Sequence, residues 1–200
     1  MIPELLTALR KPSHLLVIGL LITTIVLHYT GSEAVLSYQR SLIANGSWWL
    51  LLSGNFVHLG STHLWMNLAG LALVAALVWP HFSALQWSIL IVLCSVGVGL
   101  GLWFFNPEVE GYVGFSGTLH GLIIAGALAD LRVYPRTASV LLLCVVAKLV
   151  WEQFAGALPG SESVAGGKVL VDAHLYGAIV GALIAPPILL LQRYQGIHKH

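Results

Sequence analysis

Six apolar stretches of the chain read as candidate membrane helices, at roughly residues 13–29, 62–80, 84–105, 115–131, 138–154 and 169–191, the first, fourth and fifth near the lower length limit. A hydrocarbon core about 30 Å thick takes roughly 20 residues of helix per crossing. Within lipid each backbone polar group must be satisfied inside the structure, which helices do segment by segment. With 58% of its 200 residues hydrophobic and 8% charged, the chain cannot cover a water-facing surface, for which about 25% charge is usual. The expected fold class is therefore all-α: a polytopic membrane protein, a six-transmembrane-helix bundle forming a single domain over residues 1–200. Its surroundings are the lipid bilayer. A formal net charge of +1 leaves no electrostatic case for nucleic acid. Cys94 and Cys144 both lie in apolar runs and read as buried structural thiols. Lys148 and Glu152 interrupt the fifth stretch four residues apart, where they can pair on one helical face. They read as a structural ion pair near the outer end of that helix rather than as catalytic groups.

Basic residues orient the bundle. Arg10, Lys11, Arg132, Arg136, Arg193 and Lys199 fall on the side of the N-terminus, whereas Arg40 and Lys168 fall on the other. Both termini are therefore expected in the cytoplasm. The first stretch follows two basic residues but lacks a small-residue cleavage site, so it reads as a retained helix with no soluble domain before it. In the first outer loop, Trp48, Trp49 and the apolar stretch to Leu52 are too short to span and suit an interfacial or re-entrant segment. Residues 155–168, rich in glycine, read as a flexible loop.

Helices two, four and six run in the same direction, and each carries polar residues in its first turns: His63 and Asn67 preceded by His58, then Ser116 and His120, then Asp172 and His174. Among the odd-numbered helices only Glu152 lies at a comparable depth. Ionisable groups at membrane depth point to a functional site. Gly117, Gly121, Ala125 and Ala129 on helix four, and Ala173, Gly177, Gly181 and Ala185 on helix six, repeat every four residues. Such stripes allow close backbone approach. If they face each other in register, Ser116 and His174 come within hydrogen-bonding reach. A serine hydroxyl needs a base to become a nucleophile, and neutral histidine suits that task. The oxyanion formed by attack needs fixed donors; Asn67, His63 and the free N–H groups opening helix four can supply them. Asp172 either orients His174 or marks the membrane surface.

At these residues the sequence resembles the rhomboid family of intramembrane serine proteases. The resemblance rests on His58-Leu-Gly-Ser-Thr-His63-Leu-Trp-Met-Asn67, Gly114-Phe-Ser116-Gly117 and Ala173-His174-Leu-Tyr-Gly177-Ala-Ile-Val-Gly181, in family order. It implies a Ser116 nucleophile, a His174 general base, and an oxyanion site of His63, Asn67 and the Ser116 backbone amide. His58 would support the site, as would Gly117 beside the serine; Gly114 would let the loop approach it, and Gly177 and Gly181 would serve packing. The chemistry so implied needs no metal or organic cofactor.

Two positions depart from the family pattern. No arginine follows Trp48 and Trp49, and His120 stands where an aromatic residue commonly packs on the catalytic histidine. The text Gly114-Phe-Ser116-Gly117-Thr-Leu-His120-Gly121 resembles the rhombosortase subfamily. That resemblance implies membrane-anchored protein substrates with a C-terminal GlyGly-CTERM transmembrane tail, cut at the periplasmic face of a bacterial inner membrane. For His120 it leaves open stacking on His174, donation to the oxyanion, or contact with substrate. A non-proteolytic rhomboid-like protein that binds transmembrane helices would be expected to lack the serine or the histidine, and both are present. A haem cytochrome ligated by His63, His120 or His174 would leave Ser116 and Asn67 unexplained.

Overall fold

The computed structural model describes residues 12–197, so Arg10, Lys11 and Lys199 of the orientation argument lie outside the described residues. Six long helices dominate: α1 (Pro12–Tyr29), α2 (Ser61–Val78), α3 (Ala84–Phe105), α4 (Ser116–Asp130), α5 (Pro135–Ala155) and α6 (Val171–Ile197). Among the described residues, five of them (α2 counted with its 3-10 extension to His81) are long and apolar enough to cross a membrane. Helix α4, with 15 residues, is the exception to the six expected spans. It rises about 22 Å, less than the hydrocarbon thickness. Its neighbours explain this: α2, α3, α5 and α6 all pack on it, and most of its residues are buried. A helix walled in by protein has no need to match the lipid.

The close packing of α4 on α6 follows directly from the glycine stripes. A Cβ added at Gly177 would land on the carbonyl oxygen of Gly117, and one at Gly181 on that of Gly121. In return, Cβ atoms at Gly117 and Gly121 would lie 2.7 Å from the Ala173 oxygen and 2.6 Å from the Gly177 oxygen. The stripes meet in register, backbone against backbone. At the far end of the bundle from Ser116, Trp79 and Trp87 stack with centroids 4.3 Å apart. The Trp79 indole donates to the Ser13 carbonyl, and that of Trp87 to the Trp79 carbonyl, each at 2.9 Å. Cys94 is buried on α3, whereas Cys144 is exposed on α5. The expectation of two buried thiols is thus corrected, because apolar residues on the outer face of a membrane helix are indistinguishable by composition from core ones.

The first loop is bound to the bundle rather than lying along its surface. Short helices Glu33–Leu36, Arg40–Ala44 and Leu50–Ser53 flank strand β1 (Tyr38–Gln39), which pairs antiparallel with β2 (Gly111–Tyr112). Leu50 and Leu51 are buried against α3, where the lack of a side chain at Gly99 admits the Leu51 backbone. Trp48 and Trp49 remain exposed, as suits an interfacial position.

Arg40 fastens the loop. Its guanidinium donates to the carbonyl oxygens of Leu102, Trp103, Asn106 and Val109 at 2.7–3.2 Å and lies over the Trp103 ring. These acceptors include that of Trp103, one of the carbonyls left without a helical partner at the end of α3. Arg40→Met is expected to lower stability by about 3 kcal/mol, since a bond to a charged donor contributes about 1.5–3 kcal/mol. Arg40→Lys should recover only part of that, because an ammonium cannot reproduce the fork. Thermal unfolding of the three proteins in one detergent measures the difference.

Candidate active site

The site begins with a turn that requires glycine. Gly114 holds φ +119° between β2 and α4, and a Cβ there would sit 2.6 Å from Cε1 of His63. Its N–H donates to the Gly54 carbonyl at 3.1 Å. Ser116 then opens α4. Two residues on, the fully buried Thr118 hydroxyl donates to Asn55 Oδ1 at 3.1 Å and accepts from Ser95 Oγ at 2.9 Å. Asn55 completes the set by donating to the Ser95 carbonyl at 3.1 Å. In so apolar a setting a satisfied polar network holds its members in one arrangement. This one pins the start of α4 to α3 and to the first loop. The three residues carry no chemical motif and are not foreseen in the sequence.

The glycine-striped contact brings Ser116 Oγ and His174 Nε2 to 3.0 Å. On the other side of the ring, His174 Nδ1 lies 3.0 Å from Glu152 Oε2. Glu152 is 3% exposed and His174 5%. With Nδ1–H donating to the carboxylate, the lone pair of Nε2 faces the serine hydroxyl, the tautomer a general base requires. Lys148 donates to the other carboxylate oxygen, Oε1, at 2.6 Å, and its ammonium is 3.5 Å from His174 Nδ1. The expected Lys148–Glu152 pair therefore exists. The pair faces into the bundle, and its second carboxylate oxygen lies beside His174 Nδ1. Glu152 was the one odd-helix carboxylate at site depth, and that was the available signal.

Asp172 takes no part in orienting His174. Two residues apart on a helix, the side chains point in nearly opposite directions. Asp172 Oδ2 accepts from Asn106 Nδ2 at 2.7 Å, and Asn106 Oδ1 accepts from the Tyr176 hydroxyl at 2.7 Å. His120 stacks on His174, with centroids 4.3 Å apart and planes at 21°. Its Nδ1–H donates to the Ser116 carbonyl at 2.7 Å, which fixes the ring. Of the three roles open to His120, stacking is seen directly, and the ring also lines the groove beside Ser116, where a substrate could touch it. Donor atoms of His120, Glu152 and His174 lie within 4.8 Å of one another. Two stacked imidazoles, however, hold their nitrogens in near-parallel planes, whereas a shared ion must lie in the plane of each.

His63 and Asn67 line the groove beside Ser116. Asn67 spends one amide hydrogen on the His63 carbonyl at 3.1 Å, and its amide carries a second one. His63 Nδ1 and both nitrogens of His58 have no hydrogen-bond partner among the described residues. The two rings meet edge to face with centroids 5.1 Å apart. Burial first, then the neighbouring imidazoles His63 and His28, pushes the pKa of His58 down to about 3, so it is a neutral ring at ordinary pH. A further group not foreseen is Tyr112, whose hydroxyl donates to the Gly114 carbonyl at 2.7 Å; burial raises its pKa.

Two cavities converge on Ser116. One, about 390 Å³, is an apolar groove between α2 and α5 whose wall includes Met66, Leu73, Leu141, Val145 and His174. The other, about 290 Å³, lies on the loop side beneath β1 and β2 and is edged by Glu33 and Lys168.

An apolar bundle with a serine and a histidine paired between two glycine-striped helices defines a membrane-embedded protein with a hydrolase-like centre. The family model of the rhomboid domain matches residues 45–191, and the chain belongs to the rhomboid family. It is similar to "Rhomboid protease GluP" of Bacillus subtilis (strain 168), with 24% identity over 123 residues, 58% of this chain and 24% of that protein. The chain thus spans about a quarter of the length of that relative.

Proposed function

We propose that this protein is an intramembrane serine endopeptidase, a single rhomboid-like domain crossing the membrane six times. The observation that carries the reading is the 3.0 Å approach of Ser116 Oγ to His174 Nε2 where an apolar groove meets a more polar cleft. The relative's name as a rhomboid protease supports it.

In this reading, an apolar substrate segment lies in the groove between α2 and α5. His174 takes the Ser116 proton as the hydroxyl attacks the scissile carbonyl. The oxyanion is received by the free amide hydrogen of Asn67, by His63 and by the backbone N–H of Ser116 at the start of α4. His174 then protonates the leaving amine, and water entering from the loop-side cleft releases the acyl group. The chemistry uses neither metal nor organic cofactor. The placement of Arg132, Arg136 and Arg193 away from Arg40 and Lys168 supports cytoplasmic termini and a site open to the periplasm, in a bacterial inner membrane. Substrates are membrane-anchored proteins cut near that face. The Gly114–Gly121 text, with His120 against His174, supports a rhombosortase that releases proteins from GlyGly-CTERM tails.

The test is a mass-spectrometric cleavage assay of the purified protein with a GlyGly-CTERM tail substrate in liposomes, beside Ser116→Ala. Product from the wild type alone is expected, and its mass locates the scissile bond. Equal product from both would overturn the role of Ser116. If neither cuts this tail but the wild type cuts a generic transmembrane substrate, the protease stands and the tail assignment falls. Binding of both substrates without cleavage of either would favour the alternative, a non-proteolytic rhomboid-like protein that holds transmembrane helices.

A further inference from the structure

We propose that Glu152 is a positioning residue of the reaction, so that the working unit is a Ser116–His174–Glu152 relay with Lys148 as its counter-ion, rather than a serine–histidine pair. The proposal rests on the serine-protease reading above.

The argument starts from how a buried imidazole can fail. A neutral histidine has two tautomers, and only the one with its hydrogen on Nδ1 leaves Nε2 free to accept from serine. An imidazole whose Nδ1 faces only apolar neighbours chooses between them weakly. Here Nδ1 lies 3.0 Å from Glu152 Oε2, and an ionised carboxylate can only accept. The hydrogen is therefore held on Nδ1, and the Nε2 lone pair is aimed at Ser116 Oγ, 3.0 Å away. The carboxylate also faces the positive charge that appears on the ring once the serine proton has moved, and the proton itself stays on the imidazole.

A lone carboxylate at 3% exposure would be costly at this depth. Lys148 answers that cost. At 2.6 Å from Oε1 it keeps Glu152 ionised, and it leaves the other oxygen to His174. The order of bonds, ammonium to carboxylate to imidazole to hydroxyl, is continuous across α5, α6 and α4. His120 adds the remaining restraint. Stacked on His174 and tied to the Ser116 carbonyl, it limits rotation of the base out of the line between carboxylate and serine.

The experiment compares wild type, Glu152→Gln, Glu152→Asp and Ser116→Ala on one cleavable transmembrane substrate, with kcat and KM measured separately and folding followed by thermal unfolding. Glu152→Gln is expected to lower kcat by about 10²–10⁴-fold with KM within about threefold, because the amide N–H₂ can hold the wrong tautomer while the groove is unchanged. Glu152→Asp, which keeps the carboxylate on a shorter arm, should recover at least about tenfold of that loss. Glu152→Gln leaves Lys148 without its counter-ion. If it does not fold, Lys148→Met with Glu152→Gln removes both charges and should show the same drop in kcat. A folded Glu152→Gln or double variant with kcat within about threefold of wild type would overturn the proposal. So would an Asp variant no better than Gln. Cleavage by Ser116→Ala would instead overturn the underlying protease reading. An inactive Ser116→Ala beside a fully active Glu152→Gln removes only the role of Glu152.

Discussion

Ser116→Ala and His174→Ala are each expected to lower kcat by about 10⁶-fold, and the double variant no further. The two atoms lie 3.0 Å apart, and in the proposed mechanism they share one proton transfer, so removing either removes the step. What survives is the residual catalysis of groups untouched by both changes, the oxyanion donors and the groove. That residue amounts to about 10³–10⁴ over water in serine proteases. Long incubations in liposomes with product mass detection give the three rates. Multiplying losses would mean that serine and histidine act independently, which their geometry does not allow.

The second large effect concerns architecture. Gly177→Leu is expected to lower stability by about 3 kcal/mol, the upper end of overpacking costs, and to reduce cleavage to background. The Gly117 carbonyl occupies the place of the new Cβ. Carbonyl and helix are both rigid, so α4 and α6 must separate. Ser116 sits beside Gly117 on one helix, and His174 one turn before Gly177 on the other. A separation of 1 Å would stretch the 3.0 Å contact beyond hydrogen-bonding length. Gly19→Leu on α1 is the control: nothing lies within 4 Å of the added Cβ, and its stability should equal that of the wild type within about 0.5 kcal/mol. Denaturant unfolding in a fixed detergent compares the two. A Gly177→Leu protein as stable and active as wild type would show that the stripes do not set the helix distance.

Much of the bundle was legible because lipid imposes simple demands. The stretch expected at 84–105 is the helix Ala84–Phe105, since both its ends coincide with the loss of apolar residues. The last helix runs to Ile197, beyond the expected 191, because Gln192, Arg193 and Tyr194 can continue a helix outside the hydrocarbon. The meeting of the two stripes was legible because glycine at a fixed spacing has few other uses on apolar helices. The first loop was not. Its shape comes from Arg40 reaching carbonyls more than 60 residues away and from a two-residue ladder with β2, neither of which leaves a local pattern. Glu152 was visible but already accounted for, since Lys148 one turn away satisfied it on paper. Its second oxygen turns toward His174 only because α5 and α6 pack together, and that packing has no local pattern. For Asp172 nearness in sequence to His174 left two roles open, and its bond to Asn106 on the other face of the helix removes the orienting one.

If the proposed function holds, the convergence of an oily groove and a wetter cleft on one hydroxyl changes what substrate concentration means for this protein. A reactant delivered sideways through lipid is diluted by lipid, not by the volume of the buffer. Its relevant abundance is the number of anchored molecules per unit of membrane area. Adding empty vesicles after the protein and its substrate share a bilayer should leave turnover untouched, whereas enlarging that shared bilayer should slow it. Under the proposed function, crowding of the membrane plane, rather than affinity in the ordinary volumetric sense, would govern how fast anchored proteins reach Ser116.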